Sequence, residues 1–248
     1  MKKHLNLFVV GAIAAFASTG CESFQKPGSQ DPVRRDAFNG ENLDGWREPV
    51  GNWTAVGGVA LHPENPKSFS FEPGFGVLVN GTSGPTRNLV STFEHADVEL
   101  HIEFNVPEGS NSGVYFQGRY EIQVLDSHGV EKPQHSDCGG IYQRWKDDKG
   151  FDGHPPAVNA SKPPGEWQYF DVLFRAPRYD EFGTKIANAR FVSVRHNGVE
   201  IHRDVELTGP TRAALDENTE VAFGPLMLQG DHGPVAYRNI IVRDVLLD

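Results

Sequence analysis

The run Tyr120-Glu121-Ile122-Gln123-Val124-Leu125-Asp126 holds the most informative chemistry in the chain. Read as a strand, it sends Tyr120, Ile122 and Val124 to one face and Glu121 with Gln123 to the other, because side chains alternate along an extended backbone. A carboxylate beside an amide on one sheet face can bind sugar hydroxyls or move a proton. The plainer alternative is a solvated outer-face glutamate, which describes most strand carboxylates. Asp126 has the wrong parity to join the pair unless a bulge intervenes or the strand has ended. A second group is Leu228-Gln229-Gly230-Asp231-His232-Gly233, followed by Val235-Ala236-Tyr237-Arg238-Asn239. Its glycines make a turn that leaves Asp231 and His232 at a strand end, where loop residues meet ligands. A histidine there serves as acid, base or metal ligand near neutral pH, or simply belongs to a polar turn. A third group, Asn111-Ser112-Gly113 before Val114-Tyr115-Phe116, opens a strand; an Asn in such a turn commonly bonds its own backbone.

Several hydrolytic and nucleotide-binding signatures are missing: no Gly-x-Ser-x-Gly elbow, no His-Glu-x-x-His helix, no phosphate loop and no dinucleotide fingerprint. The histidines are scattered without metal-ligand spacing. These absences argue against a serine hydrolase, a P-loop enzyme and a Rossmann enzyme.

The elements that must position these residues are strands. Asp97 to Val106 alternates most cleanly, with Val98, Leu100, Ile102, Phe104 and Val106 on a dry face and Glu99, His101, Glu103 and Asn105 on a wet one,. Similar runs cover 53–60, 76–80, 112–118, 120–125, 140–144, 167–175, 190–196, 199–205, 225–229 and 235–247. Asn197-Gly198 signals a tight hairpin, because both central positions of the favoured turn need positive φ. Only Thr211–Glu217 hints at a helical turn. About ten strands with dry and wet faces predict an all-β fold, a sandwich of two packed antiparallel sheets. Pro63–Pro73 and Asp147–Pro164 interrupt the rhythm and read as loops at the rim of a site.

The N-terminus carries Lys2 and Lys3, an uncharged apolar stretch from Leu5 to Ala17, then Ser18-Thr19-Gly20-Cys21. This is a secretory leader over 1–20; the apolar run falls short of the roughly 20 residues that span a bilayer. Ser-Thr-Gly-Cys resembles a lipoprotein processing box with Cys21 as the lipid-modified first residue, ordinary cleavage after Ala15-Phe16-Ala17 being the alternative. Several acyl chains hold a protein firmly to a membrane, so the expectation is a periplasmic or outer-surface protein whose membrane contact is its lipid anchor. Residues 21–35 read as a flexible tether rich in Gln, Pro, Ser and Gly, and 36–248 as a single β-sandwich domain. The chain's formal charge is −10, and loss of Lys2 and Lys3 with the leader makes the mature chain −12. That balance argues against nucleic-acid partners. With Cys21 carrying lipid, Cys138 stands alone and no intrachain disulfide forms.

Six segments in order resemble the 3-keto-disaccharide hydrolase domain family: Phe38-Asn39-Gly40-Glu41-Asn42-Leu43-Asp44-Gly45-Trp46, Asn111 to Phe116, Tyr120 to Asp126, Pro164-Gly165-Glu166-Trp167, His196-Asn197-Gly198-Val199, and Leu228-Gln229 through His232-Gly233 to Arg238-Asn239. Gly230 lengthens the last turn relative to the family pattern. The resemblance implies a concanavalin-A-like jelly-roll sandwich and cleavage of glycosides whose glucose unit is already a ketone at carbon 3. A 3-keto group acidifies the hydrogen on carbon 2, so a base, a group that polarises the ketone oxygen and an acid for the leaving group suffice. On this reading Glu121 or His232 is the base, Arg238, Gln123 or a divalent metal stabilises the enolate, and a second carboxylate or His assists departure. Asn111, Tyr142, Arg144, His154 and Gln229 bind the 3-keto-glycoside, and a metal would draw on His154, His232, Glu121 and Asp152. Two alternatives use the same fold. A conventional glucanase needs two carboxylates about 5–5.5 Å apart, for which Glu121 and Asp126 are the candidates; a non-catalytic carbohydrate-binding module would stack sugars on Tyr142, Trp145 and Trp167. Fold alone does not choose among them.

Overall fold

The computed structural model describes residues 34–81 and 85–248. The leader, Cys21 and most of the expected tether lie outside the described residues. Arg34 and Arg35, expected in the tether, are in a strand, because their backbone completes the ladder along Val242 and Arg243.

In chain order the strands are β1 (Arg34–Asp36), β2 (Thr54–His62), β3 (Asn65–Val79), β4 (Leu89–His95), β5 (Val98–Asn105), β6 (Asn111–Phe116), β7 (Tyr120–Leu125), β8 (Arg144–Lys146), β9 (Lys149–Phe151), β10 (Gln168–Arg175), β11 (Arg178–Tyr179), β12 (Lys185–Ala187), β13 (Ala189–His196), β14 (Val199–Leu207), β15 (Gly224–Leu228) and β16 (Ala236–Asp244). No helix occurs among the described residues. At 211–217, where a helical turn was expected, Ala213 has φ +63° and breaks any right-handed continuation,.

The architecture is a two-sheet antiparallel jelly-roll sandwich, as expected. One sheet has eight strands, ordered β14-β13-β10-β5-β16-β3-β2 with β1 added against β16; the other has four, ordered β4-β15-β6-β7. Alternation drives the packing. Val98, Leu100, Ile102 and Phe104 of β5 are all but fully buried, while Glu99, His101 and Glu103 face outward. Asn105 departs from that pattern: it is buried and gives its side-chain N–H to the Gly165 carbonyl at 2.8 Å. Across the sandwich Phe116 of β6 meets Phe174 of β10 and Phe191 of β13, each at 5.2 Å between ring centroids. The β13–β14 hairpin turns on Asn197 and Gly198 at φ +51° and +81°.

Two of the expected loops contain strands. Pro63–Pro73 is mostly β3, paired along β2. Its prolines, Pro66 and Pro73, are tolerated because both fall at register shifts in the β2–β3 ladder and β16 pairs β3 only at Leu78 and Val79, so no ladder bond calls on a proline N–H. Asp147–Pro164 begins in the β8–β9 hairpin, whose turn places Asp147 and Asp148 at positive φ.

Candidate active site

The site is built on the outer face of the four-stranded sheet. In β7, Ile122 and Val124 point into the core, so Glu121 and Gln123 point out of the sandwich. The β6 register puts Tyr115 opposite Glu121 and Gly113 opposite Gln123. Three segments then cover this face. Residues 139–142 run along the free edge of β7: Gln123 N–H donates to Gly140 O at 2.8 Å and Tyr142 N–H to Glu121 O at 3.2 Å. The loop after β14 is pinned by Thr211, whose N–H donates to Arg119 O at 2.8 Å, and by Arg212, whose N–H donates to Gln143 O at 2.9 Å. The β15–β16 turn brings Gln229, held by its N–H to Gly113 O at 2.9 Å, and then His232. Together they enclose a cavity of about 230 Å³ lined by Asn111, Tyr115, Glu121, Gln123, Tyr142, Arg212, Ala213, Gln229 and His232.

Glu121 is 2 % exposed. Burial pushes its carboxyl from 4.5 up to about 8; the Tyr115 hydroxyl, hydrogen-bonded to it, pulls the other way, and the Asp231 charge adds a smaller push upward. Burial beside that carboxylate drives Tyr115 well above the usual phenol range. Gly113 leaves room for the arrangement: a Cβ there would overlap the Glu121 carboxyl. Gln123 Nε2 donates to Asn111 Oδ1 at 2.6 Å, which orients both amides and keeps one Gln123 N–H in reserve. Gln229 Oε1 is buried with no hydrogen-bond partner among the described residues, so its acceptor awaits a donor from outside the protein. At the mouth, His232 is 48 % exposed and its Nδ1 lies 2.6 Å from Asp231 Oδ1. The Nδ1–H tautomer donates there and leaves Nε2 free.

Six of the expected site residues thus meet in one cavity: Asn111, Glu121, Gln123, Tyr142, Gln229 and His232. Three do not. Arg238 follows Tyr237, which is buried in the core, so strand parity sends it to the outside of the eight-stranded sheet. There its Nε donates to Glu103 Oε2 at 2.6 Å and its guanidinium lies 4.0 Å from the Trp167 ring centroid. Arg144 opens β8 beyond the cavity, donates to Thr208 Oγ1 at 2.8 Å and stacks over Phe151. His154 pairs through its backbone with Ile141. Asp152 accepts a hydrogen bond from Thr208 at 2.5 Å, so neither it nor His154 joins Glu121 and His232; among the described residues no group of three or more His, Cys, Asp or Glu is placed to hold a metal ion. Asp126 lies beyond the end of β7 and accepts the Gly109 N–H at 2.9 Å, outside the cavity.

Tyr115 and Arg212 line the cavity without having been singled out in the sequence. For Tyr115 the signal was present: Asn111, Gly113 and Tyr115 share one parity in β6. Arg212 stands in an irregular loop and carries no periodic signal.

The model of the 3-keto-alpha-glucoside-1,2-lyase-like domain matches residues 34–243, and the chain belongs to that family. No curated protein matches it. Among solved structures it is similar to a candidate glycosyl hydrolase from Parabacteroides distasonis ATCC 8503, with 24 % identity over 90 % of this chain and 95 % of that one and a TM-score of 0.62. A second candidate glycosyl hydrolase from the same organism shares 18 % identity over 86 % and 94 % of the two chains, TM-score 0.49. An endo-beta-1,4-glucuronan lyase from the fungus Trichoderma reesei shares 11 % over 85 % and 96 %, TM-score 0.44. At 24 % identity the likeness to the first of these is one of fold.

Proposed function

We propose that the protein cleaves 3-keto-glucosides by elimination, with Glu121 as the base. The observation that carries this reading is a carboxyl raised to about 8 by burial, on the floor of a polar cavity. Its ionised form is a far stronger base than an ordinary carboxylate, as removal of a hydrogen next to a ketone requires. A cavity of about 230 Å³ lies below the roughly 300–1,000 Å³ that enclose drug-sized ligands. It holds one sugar ring and leaves the aglycone outside, which puts carbon 1 toward the mouth and carbon 3 toward the interior.

Glu121 takes the proton from carbon 2, and the C–H electron pair passes into the enolate of the 3-ketone. The Gln123 N–H not given to Asn111 donates to the enolate oxygen. As the enolate collapses, the bond from carbon 1 to the aglycone oxygen breaks with its electron pair, and that oxygen takes a proton from Nε2 of His232, which enters the step as the imidazolium with its Nδ1–H held by Asp231. The products are an unsaturated 3-keto sugar and a free alcohol; water added later across the new double bond gives 3-keto-glucose. Gln229 Oε1 accepts from a sugar hydroxyl and Asn111 and Tyr142 orient the ring.

A glucanase is not supported, since Asp126 stands outside the cavity and, among the described residues, Glu121 is the only carboxylate that lines it, Asp231 being turned to His232. The test incubates the protein with an aryl 3-keto-glucoside and with the plain aryl glucoside. Release from the keto substrate alone, lost in Glu121→Gln, supports the reading. Release from both points to a glucanase, binding without release points to a binding module, and a full rate in Glu121→Gln removes Glu121 from the base role. Export with a lipid on Cys21 is part of the same proposal and suits an enzyme that meets sugars as they enter; intact mass of membrane-extracted protein without added lipid would refute it.

A further inference from the structure

We propose that the Trp145 ring and the Arg212 guanidinium stacked on it form the contact for the departing group, so that the enzyme favours substrates whose aglycone is itself a ring, a second sugar or an aromatic alcohol. The inference rests on the lyase reading above and extends it to the part of the substrate that the cavity cannot hold. Arg212 lines the cavity, and its guanidinium lies 4.0 Å from the centroid of the Trp145 ring. That ring is its charged group's partner: among the described residues the Arg212 side chain makes no ion pair and no hydrogen bond, and its ties are through the backbone, the N–H donating to Gln143 O at 2.9 Å and the carbonyl accepting from the Tyr115 hydroxyl at 3.4 Å. A planar cation laid on an aromatic face keeps its edge N–H groups free for an oxygen.

Trp145 is 37 % exposed, and single exposed aromatics usually mean nothing. This one differs in how it is held. It sits in β8 directly opposite Gly150, so no cross-strand side chain covers it. Gly150 is tied to its size as well, because a Cβ there would overlap the Gln143 amide, the residue whose carbonyl anchors Arg212. The hairpin, the indole and the guanidinium are thus one assembly that meets the cavity at Arg212, and on the lyase reading the carbon-1 substituent leaves the cavity past it. The electropositive C–H face of a sugar, or the edge or face of an aromatic alcohol, suits the negative face of the indole, and the Arg212 N–H groups can donate to the bridging oxygen or a neighbouring hydroxyl.

The experiment compares the full mature protein with Trp145→Ala and Trp145→Phe on methyl 3-keto-glucoside, 4-nitrophenyl 3-keto-glucoside and a 3-keto-disaccharide. An aromatic contact of the usual strength predicts a kcat/KM loss of about three- to tenfold on the two ring aglycones in Trp145→Ala, with the methyl glycoside unchanged. Trp145→Phe should restore most of it. Equal loss on all three substrates would mean that Trp145 only positions Arg212, and no loss on any would mean that it does nothing; either overturns the subsite. Unchanged thermal midpoints in both variants show that the fold is intact. Failure of the wild type on all three substrates overturns the lyase reading and the subsite with it, whereas turnover without aglycone dependence overturns the subsite alone.

Discussion

Replacing Glu121 by Gln should stabilise the protein while disabling it, and the gain should appear only as pH rises. The carboxyl titrates at 4.5 when exposed and at about 8 in the folded protein. A group whose folded pKa is raised contributes its full stability below the unfolded value, and that stability is lost as pH climbs through the folded one. Between pH 5 and pH 9 the wild type should therefore lose about 4 kcal/mol through this residue. A glutamine fills the same space, can accept from the Tyr115 hydroxyl and does not titrate, so the variant escapes that loss. All other ionisable groups are common to the two proteins and cancel in the difference. With a urea slope of about 2–3 kcal/mol/M for a domain of this size, the variant's midpoint should exceed the wild type's by about 1.5 M more at pH 9 than at pH 5. Urea curves by tryptophan fluorescence at both pH values measure this directly. Parallel midpoints at the two pH values would show that the carboxyl is not buried as an uncompensated charge, and the argument for an activated base would fall with it.

Three further outcomes follow from the same geometry. Gly113→Ala places a methyl group where the Glu121 carboxyl lies and should cut kcat by about 100-fold, the cost of moving a reacting group by about 1 Å; a rate near wild type in steady-state assays refutes that placement. Arg238→Ala should leave kcat/KM within about twofold, because the side chain faces Glu103 on the other sheet, and cost at most about 1 kcal/mol in urea unfolding; a large rate loss would return Arg238 to the site. His95, His196 and His202 are buried with their pKa values lowered from 6.5 to about 4, burial being the main cause in each. Their stabilising share is present above pH 6.5 and lost as pH falls through 4, up to about 3 kcal/mol each, so thermal midpoints should drop steeply between pH 6 and pH 4 and a flat profile there would refute the burial.

Period-two alternation made the large pieces of the fold legible: β5, β7, β10, β13 and β16 lie where their dry faces place them, because those faces meet across the sandwich. The same rule separated Glu121 and Gln123 from the core and set Asp126 apart. It failed where a neighbouring strand, and not local pattern, decides. Pro66 and Pro73 looked like loop residues, yet β3 carries them because they fall at register shifts where no ladder bond calls on a proline N–H. β4 was missed altogether; its pairing with β15 on one edge and with residues 45–47 on the other makes an ordered strand of Leu89–His95. Arg238 was legible as well and was misjudged, for it neighbours Tyr237 in one strand and cannot share its face.

The loops supplied what alternation could not, and they also set the chemistry. A glutamate on an outer strand face is normally solvated and titrates as a free carboxylate, which is a weak base. Glu121 differs because residues 139–142, the Thr211–Ala213 loop and the Gln229–His232 turn roof over its side of the sheet, leaving β6, β7 and β15 buried on both faces. That roof removes water from the carboxyl, raises its basicity, and at the same time leaves Gln229 Oε1 without a partner. Activation of the base and the demand for a hydroxyl-bearing ligand are thus two results of one packing event. Opening the roof by shortening the Thr211–Ala213 loop should lower the Glu121 pKa toward that of an ordinary carboxylate and weaken substrate binding together.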